Sequence, residues 1–182
     1  DPLVLVAADI CKVDKIFKVG GAHAIAALAF GTESIPQVDK IVGPGGSFVT
    51  AAKHLVSDVT SIDMLAGPTE LAIIADDSAD PKFVALDLIS QAEHSSDTLC
   101  CLITPSKNLA CKVVDFIEKT IPTLQRKDII TNSLNKNGFI TICKMSEAIS
   151  LANSLAPEHL EIMTKQPKAI SNKITTAGLV LL

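Results

Sequence analysis

The chain has no tryptophan, no tyrosine and only six phenylalanines among its 182 residues. A surface that reads nucleic acid needs basic stripes and stacking aromatics, and with a formal net charge of -4 this chain offers neither, so no nucleic-acid partner is expected. No apolar run reaches the length that crosses a bilayer, and the opening Asp1-Pro2-Leu3-Val4-Leu5-Val6 lacks the basic start of a signal peptide. No membrane partner is expected either. The five cysteines, Cys11, Cys100, Cys101, Cys111 and Cys143, are odd in number and show no Cys-x-x-Cys spacing. They read as small core residues in a reducing, cytoplasmic setting. The competing reading, a thiol nucleophile or a cysteine zinc site, lacks any electropositive surroundings.

Aliphatic residues are plentiful. Hydrophobic content is 48% against 20% charged, the balance expected when a sheet is covered on both faces. A chain of this length can bury most of the apolar surface of its unfolded state. Short apolar runs alternate with helical patterns, which predicts an α/β fold with largely parallel sheets flanked by helices. Strands are expected at 16–19, 40–42, 71–75, 98–103, 138–142, 160–163 and 179–182. Helices are expected at 22–29, 48–56, 81–92, 105–120, 145–154 and 165–176. The turn-rich Asp63-Met64-Leu65-Ala66-Gly67-Pro68-Thr69-Glu70 predicts a boundary between lobes at 1–66 and 67–182. The apolar start at Leu3 and the finish in Gly178-Leu179-Val180-Leu181-Leu182 make the chain read as an excerpt of a longer protein.

Several short motifs can carry chemistry. In Ser90-Gln91-Ala92-Glu93-His94 two possible metal ligands lie one helical turn apart at the end of the helix predicted from Pro81, for which Asp80 is the cap. Asp87, Gln91 and His94 then form a polar line beside the buried stripe. Pro157-Glu158-His159 sets a carboxylate beside an imidazole at a strand end, which is either an acid/base pair or an exposed charged loop. Gly20-Gly21-Ala22-His23 and Gly43-Pro44-Gly45-Gly46 each precede a helix and can bring backbone amides to a phosphate, or simply pack strand against helix. Neither is the dinucleotide fingerprint, and neither contains a Walker lysine. Thr69 offers a hydroxyl that can orient a polar ligand at the mouth of a sheet, or close a local turn. His54 reads as a solvated surface histidine.

Taken together, Val19-Gly20-Gly21-Ala22-His23-Ala24-Ile25-Ala26-Ala27-Leu28-Ala29-Phe30-Gly31-Thr32, Val42-Gly43-Pro44-Gly45, Ile62-Asp63-Met64, Ala66-Gly67-Pro68-Thr69-Glu70, Ser90-Gln91-Ala92-Glu93-His94 and Ala156-Pro157-Glu158-His159-Leu160-Glu161 resemble, in order and spacing, the blocks of histidinol dehydrogenase. The resemblance implies an NAD-dependent, zinc-requiring oxidation of L-histidinol through L-histidinal to L-histidine, in a homodimer built on Rossmann-like lobes, both incomplete here. It implies zinc ligation by Gln91 and His94, water activation by Glu158, and transfer of the alcohol proton to His159. Substrate contacts would come from Thr69, Gln91, His94 and His159, and NAD contacts from the positions of His23 and Gly46. His23 replaces a glutamine common in the family, and an imidazole can take over an amide's hydrogen bond. Gly46 replaces an asparagine, and glycine has no side chain to do so.

The family's other two zinc ligands, an Asp and a His, lie beyond the part that matches 177–182, so the excerpt is expected to be inactive by itself. Two other readings stand beside this one. One is a non-catalytic truncated paralogue or α/β ligand-binding scaffold, and the other is a zinc hydrolase that uses Glu158 with water.

Overall fold

A computed structural model describes residues 1–64 and 69–182. The chain divides into two compact units, Asp1–Gly67 and Pro68–Leu182. The expected lobe boundary between residues 66 and 67, and half of the turn-rich segment around it, lie outside the described residues. Both units are α/β with parallel sheets flanked by helices. Among the described residues no helix is long and apolar enough to cross a membrane.

The first unit contains α1 (Pro2–Ile10), α2 (Gly21–Phe30), β1 (Lys40–Ile41), α3 (Ser47–Val56) and β2 (Ser61–Ile62). The two short strands pair in parallel, Ile41 opposite Ile62. Ile25, Ala29, Ile41 and Val56 form a small core. The opening apolar run is helical because Asp1 caps it, accepting from the Leu3 N–H at 2.8 Å, and Pro2 suits its first turn. The strand expected at 16–19 does not form: this stretch has no ladder partner among the described residues, and Ile16 and Val19 are exposed. Ile16, Phe17 and Val19 around Lys18 resemble a short strand, but only a neighbour can satisfy its backbone.

The loop between β1 and α3 is held by one buried cation. Lys53 is 2% exposed; its ammonium donates to the Gly43 carbonyl at 2.8 Å and pairs with Asp63. The other Asp63 oxygen accepts from the Gly43 N–H at 2.9 Å. Gly43 closes this ring at φ 128°, a conformation that other residues rarely adopt. The Gly43 N–H and the Lys53 ammonium hold the Asp63 carboxyl well below the usual carboxylate range. A depressed native pKa contributes stability above the unfolded value near 4, and that contribution is lost as pH falls below it. Asp63→Asn is therefore expected to destabilise the first unit at neutral pH and to flatten its acid sensitivity. Hydrogen exchange of α3 amides at neutral and acidic pH checks this, and equal pH dependence in both proteins would refute it.

The second unit carries β3 (Glu70–Ala75), α4 (Pro81–Ala92), β4 (Leu99–Thr104), α5 (Lys107–Thr120), a 3₁₀ turn (Ile121–Thr123), α6 (Lys127–Asn137), β5 (Gly138–Ile142), α7 (Met145–Leu155), β6 (His159–Met163), α8 (Pro167–Ser171) and β7 (Leu179–Leu181). Its five strands are all parallel, in the order β5-β4-β3-β6-β7. Leu71, Ile73 and Ala75 point to one face, under α4, α5 and α6, where Val84, Leu88, Val113 and Ile130 complete the core. Ala72 and Ile74 point to the other, under α7 and α8, with Ala148, Ala152, Leu160 and Ile162. Period-two alternation makes each face.

In the second unit two helices differ from the sequence pattern. α6 was not expected, since its stripe is narrow and only Ile130 and Ser133 are buried. The helix expected over 165–176 is reduced to α8, because the Asn153 side chain takes the Lys173 carbonyl and the Thr175 N–H, each at 2.9 Å. Those side-chain bonds replace the helical ladder there.

Candidate active site at the amino edge of the sheet

α4 leaves the carboxyl end of β3 and returns to the start of β4, so its last turn lies at the amino ends of the parallel strands. Asp80 caps it, accepting from the Lys82 N–H at 2.8 Å, and Pro81 opens its first turn. Gln91 is half-buried in that last turn, and His94 is exposed just past it, with its N–H donating to the Gln91 carbonyl at 3.2 Å. Thr69 immediately precedes β3 and is half-buried, and its carbonyl accepts from the Leu99 N–H at 3.2 Å. Glu158 immediately precedes β6, and His159 is its first residue, paired in register with Leu71. Thr69, Gln91, His94, Glu158 and His159 thus meet along one edge. Sheets of this kind ordinarily bind ligands at the carboxyl ends of their strands. Here the polar groups gather at the opposite end.

β6 alternates strictly. Leu160 and Ile162 face α7 and α8, while His159, Glu161 and Met163 face α4. On this face Asp87 of α4 and Glu161 of β6 are close enough for each carboxyl to shift the other. One helical turn from Asp87 to Gln91 covers about 6 Å, and two residues from Glu161 to His159 cover about 6.6 Å in the same direction. Gln91 is thereby brought level with His159. Gln91 Nε2, His159 Nδ1 and Glu161 Oε2 are buried atoms with no hydrogen-bond partner in the protein. Orphaned polar atoms are rare inside proteins, and three on one face mark a place whose polarity serves something other than the fold.

His159 Nδ1 lies 3.8 Å from Glu158 Oε2, and the Glu158 side chain is 54% exposed. Burial, then the nearby Asp87 charge and the hydrogen bond to it, push the Glu161 carboxyl up to about 7. Asp87 is raised too, by burial. Sequence reasoning placed Asp87 on the polar line but passed over Glu161, which stands in a strand whose alternation already aims it at α4.

The sequence-based alternatives separate clearly. Burial pushes the Cys100 and Cys101 thiols up to about 12, so they are neutral core groups at physiological pH. Cys11 and Cys111, expected in the core, are exposed. His54 is exposed, as expected. Among the described residues no group of three or more His, Cys, Asp or Glu side chains is arranged so that it could hold a metal ion. In the first unit, α2 and α3 each begin after a glycine N-cap, Gly20 and Gly46, with no side-chain cap. His23 is exposed in the first turn of α2.

A family model described as histidinol dehydrogenase matches residues 1–182. The chain is 51% identical over 183 aligned positions to histidinol dehydrogenase of Clostridium acetobutylicum, covering 100% of this chain and 42% of that protein. It is also 51% identical to the Lactiplantibacillus plantarum enzyme, of which it covers 43%. The crystal structure of histidinol dehydrogenase from Elizabethkingia anophelis superposes with a TM-score of 0.90 at 40% identity, over 98% of this chain and 42% of that one. The chain therefore spans less than half the length of the curated relatives it matches.

Proposed function

The chain belongs to the histidinol dehydrogenase family, and from that premise we propose that its complete protein oxidises L-histidinol through L-histidinal to L-histidine, reducing two NAD molecules, as a zinc-requiring homodimer. The observation that carries this reading is the convergence of Gln91, Glu158 and His159 at one sheet edge, with buried nitrogens of Gln91 and His159 unpartnered.

Gln91 and His94 would hold the zinc through an amide oxygen and an imidazole nitrogen. They suit it as half of a ligand set: both are neutral donors at i and i+3, and neither belongs to the core. Held by Gln91 and His94, a zinc ion would supply the charge that orients the imidazole and amino groups of the substrate. His159 accepts the alcohol proton on its ring as hydride leaves for NAD, and the Glu158 carboxylate 3.8 Å away stabilises the positive charge the ring acquires. Glu158 then takes a proton from the water that adds to the aldehyde. Thr69 offers its hydroxyl to the substrate. On the cofactor side, the uncapped starts of α2 and α3 present backbone N–H groups suited to a pyrophosphate, His23 adds an imidazole, and Gly46 contributes backbone alone.

Zinc content tests the metal assignment. In the complete enzyme, Gln91→Ala and His94→Ala are expected to weaken zinc binding by more than about 100-fold, since losing an outer-shell partner alone can cost 10- to 100-fold. Unchanged metal content after extensive dialysis would remove both residues from the site. With Gln91 and His94 alone as ligands in this reading, the 182-residue chain is expected to reduce no NAD with L-histidinol. Measurable turnover by it would contradict the proposal.

A further inference from the structure

We infer that Gly178 is a positioning residue for Glu158, acting through a main-chain contact that leaves no room for a side chain. The inference rests on the reading of Glu158 as the group that activates water. β7 joins the sheet beside β6, and the two segments are laced just ahead of their strands: the Gly178 N–H donates to the Pro157 carbonyl at 3.0 Å, and the Leu179 N–H to the Glu158 carbonyl at 2.9 Å. A Cβ on Gly178 would stand 2.9 Å from the Glu158 carbonyl oxygen and 3.6 Å from its carbonyl carbon and Cα. These are all backbone atoms of one residue. No flexible side chain can swing aside, so either Glu158 or the strand carrying Gly178 must move.

The strand is tethered. Asn153 of α7 donates to the Lys173 carbonyl and accepts from the Thr175 N–H, each at 2.9 Å, and its own carbonyl accepts from the Thr176 hydroxyl at 2.7 Å. The tether ends two residues before Gly178. On the other side, Ala156 ends α7 in the left-handed conformation (φ 48°, ψ 52°) and turns the chain into buried Pro157. The Glu158 backbone is therefore held between a fixed turn and the face of Gly178. Its carboxylate is 54% exposed, so packing does little to fix it, and the main chain sets the point from which it reaches.

The complete enzyme is compared as wild type, Gly178→Ala, Glu158→Gln and the double variant, with L-histidinal as substrate and with zinc content and thermal midpoint measured alongside. Misplacing a reacting group by about 1 Å can cost about 100-fold in rate. A shift of several tenths of an ångström in Gly178→Ala is expected to lower kcat at least about tenfold by the same reasoning, with KM and zinc content near wild type. In the Glu158→Gln background the same change is expected to cost nothing further. Wild-type kcat in Gly178→Ala, or a loss that persists undiminished in the double variant, would overturn the inference. Full activity of Glu158→Gln would instead sink the reading of Glu158 on which it rests. If Gly178→Ala does not fold, Asn153→Ala loosens the tether and is expected to lower kcat only while Glu158 is present; an equal loss in both backgrounds refutes the positioning role.

Discussion

In the complete enzyme, Glu158→Gln is expected to lower turnover of L-histidinal by about 100- to 10,000-fold, the usual range for loss of a general base. The substitution keeps the shape of the side chain and removes its proton-accepting charge. The effect should be uneven across the two oxidations. The alcohol step needs a proton taken from the substrate, which is assigned to His159, whereas the aldehyde step needs a proton taken from water, which is assigned to Glu158. Single-turnover hydride transfer from L-histidinol should therefore fall far less than turnover of L-histidinal. The two losses are coupled in the proposed mechanism, because Glu158 lies 3.8 Å from His159 Nδ1 and would help to hold the charge that ring acquires. Equal losses in both half-reactions would mean that the carboxylate serves His159 and not the water.

Glu161→Gln is expected to stabilise the 182-residue chain at pH 8 by about 1–3 kcal/mol and to leave it unchanged near pH 4. Burial is the first cause of the raised Glu161 carboxyl, followed by the Asp87 charge, and its value of about 7 compares with an unfolded value near 4.5. The sign follows from which state binds more protons. Below pH 4.5 both states hold the Glu161 proton, and its contribution to stability is complete. Between 4.5 and 7 the unfolded chain has released the proton while the folded one keeps it, so stability declines with rising pH. Above 7 the loss is complete. Asp87 is shifted in the same direction by burial and adds to the effect. Glutamine has no proton to lose and faces Asp87 without a charge of its own. Thermal midpoints of the two proteins should coincide in acid and separate progressively toward neutrality. A constant difference across that range would show that Glu161 is not protonated as described.

The two pH effects have opposite signs because the environments differ. Asp63 accepts hydrogen bonds from a buried lysine and a backbone N–H, which favour its charge. Glu161 meets another carboxyl in a half-buried site, which disfavours it. Nothing in the local sequence around either residue distinguishes them. Asp63 follows an isoleucine in a short strand, and Glu161 stands between Leu160 and Ile162 in another.

Where a pattern was long and its partners lay nearby, the sequence was readable. α4 is announced by Asp80, Pro81 and the stripe Val84, Leu88, Ile89, and β3 by an unbroken aliphatic run buried on both faces. Shorter signals misled. The run at 16–19 has strand composition without a neighbour to pair with, while α6 hides a narrow apolar stripe among polar residues. Residues 172–176 carry a helical rhythm that Asn153 overrides from about twenty residues away.

By itself the sequence determined the α/β class, the cap that launches α4, and the six blocks that identify the family, since each depends on local chemistry and spacing along the chain. It also named Gln91, His94, Glu158 and His159 as candidates. Only the tertiary structure decided that these residues gather at the amino edge of the sheet, that Glu161 faces Asp87 beneath them, and that Gly178 bears on the backbone of Glu158. Each of those is a contact between strands or helices far apart in the chain. Its distance is set by the register of β6 against β3 and β7 and by the return of α4, which no local pattern encodes.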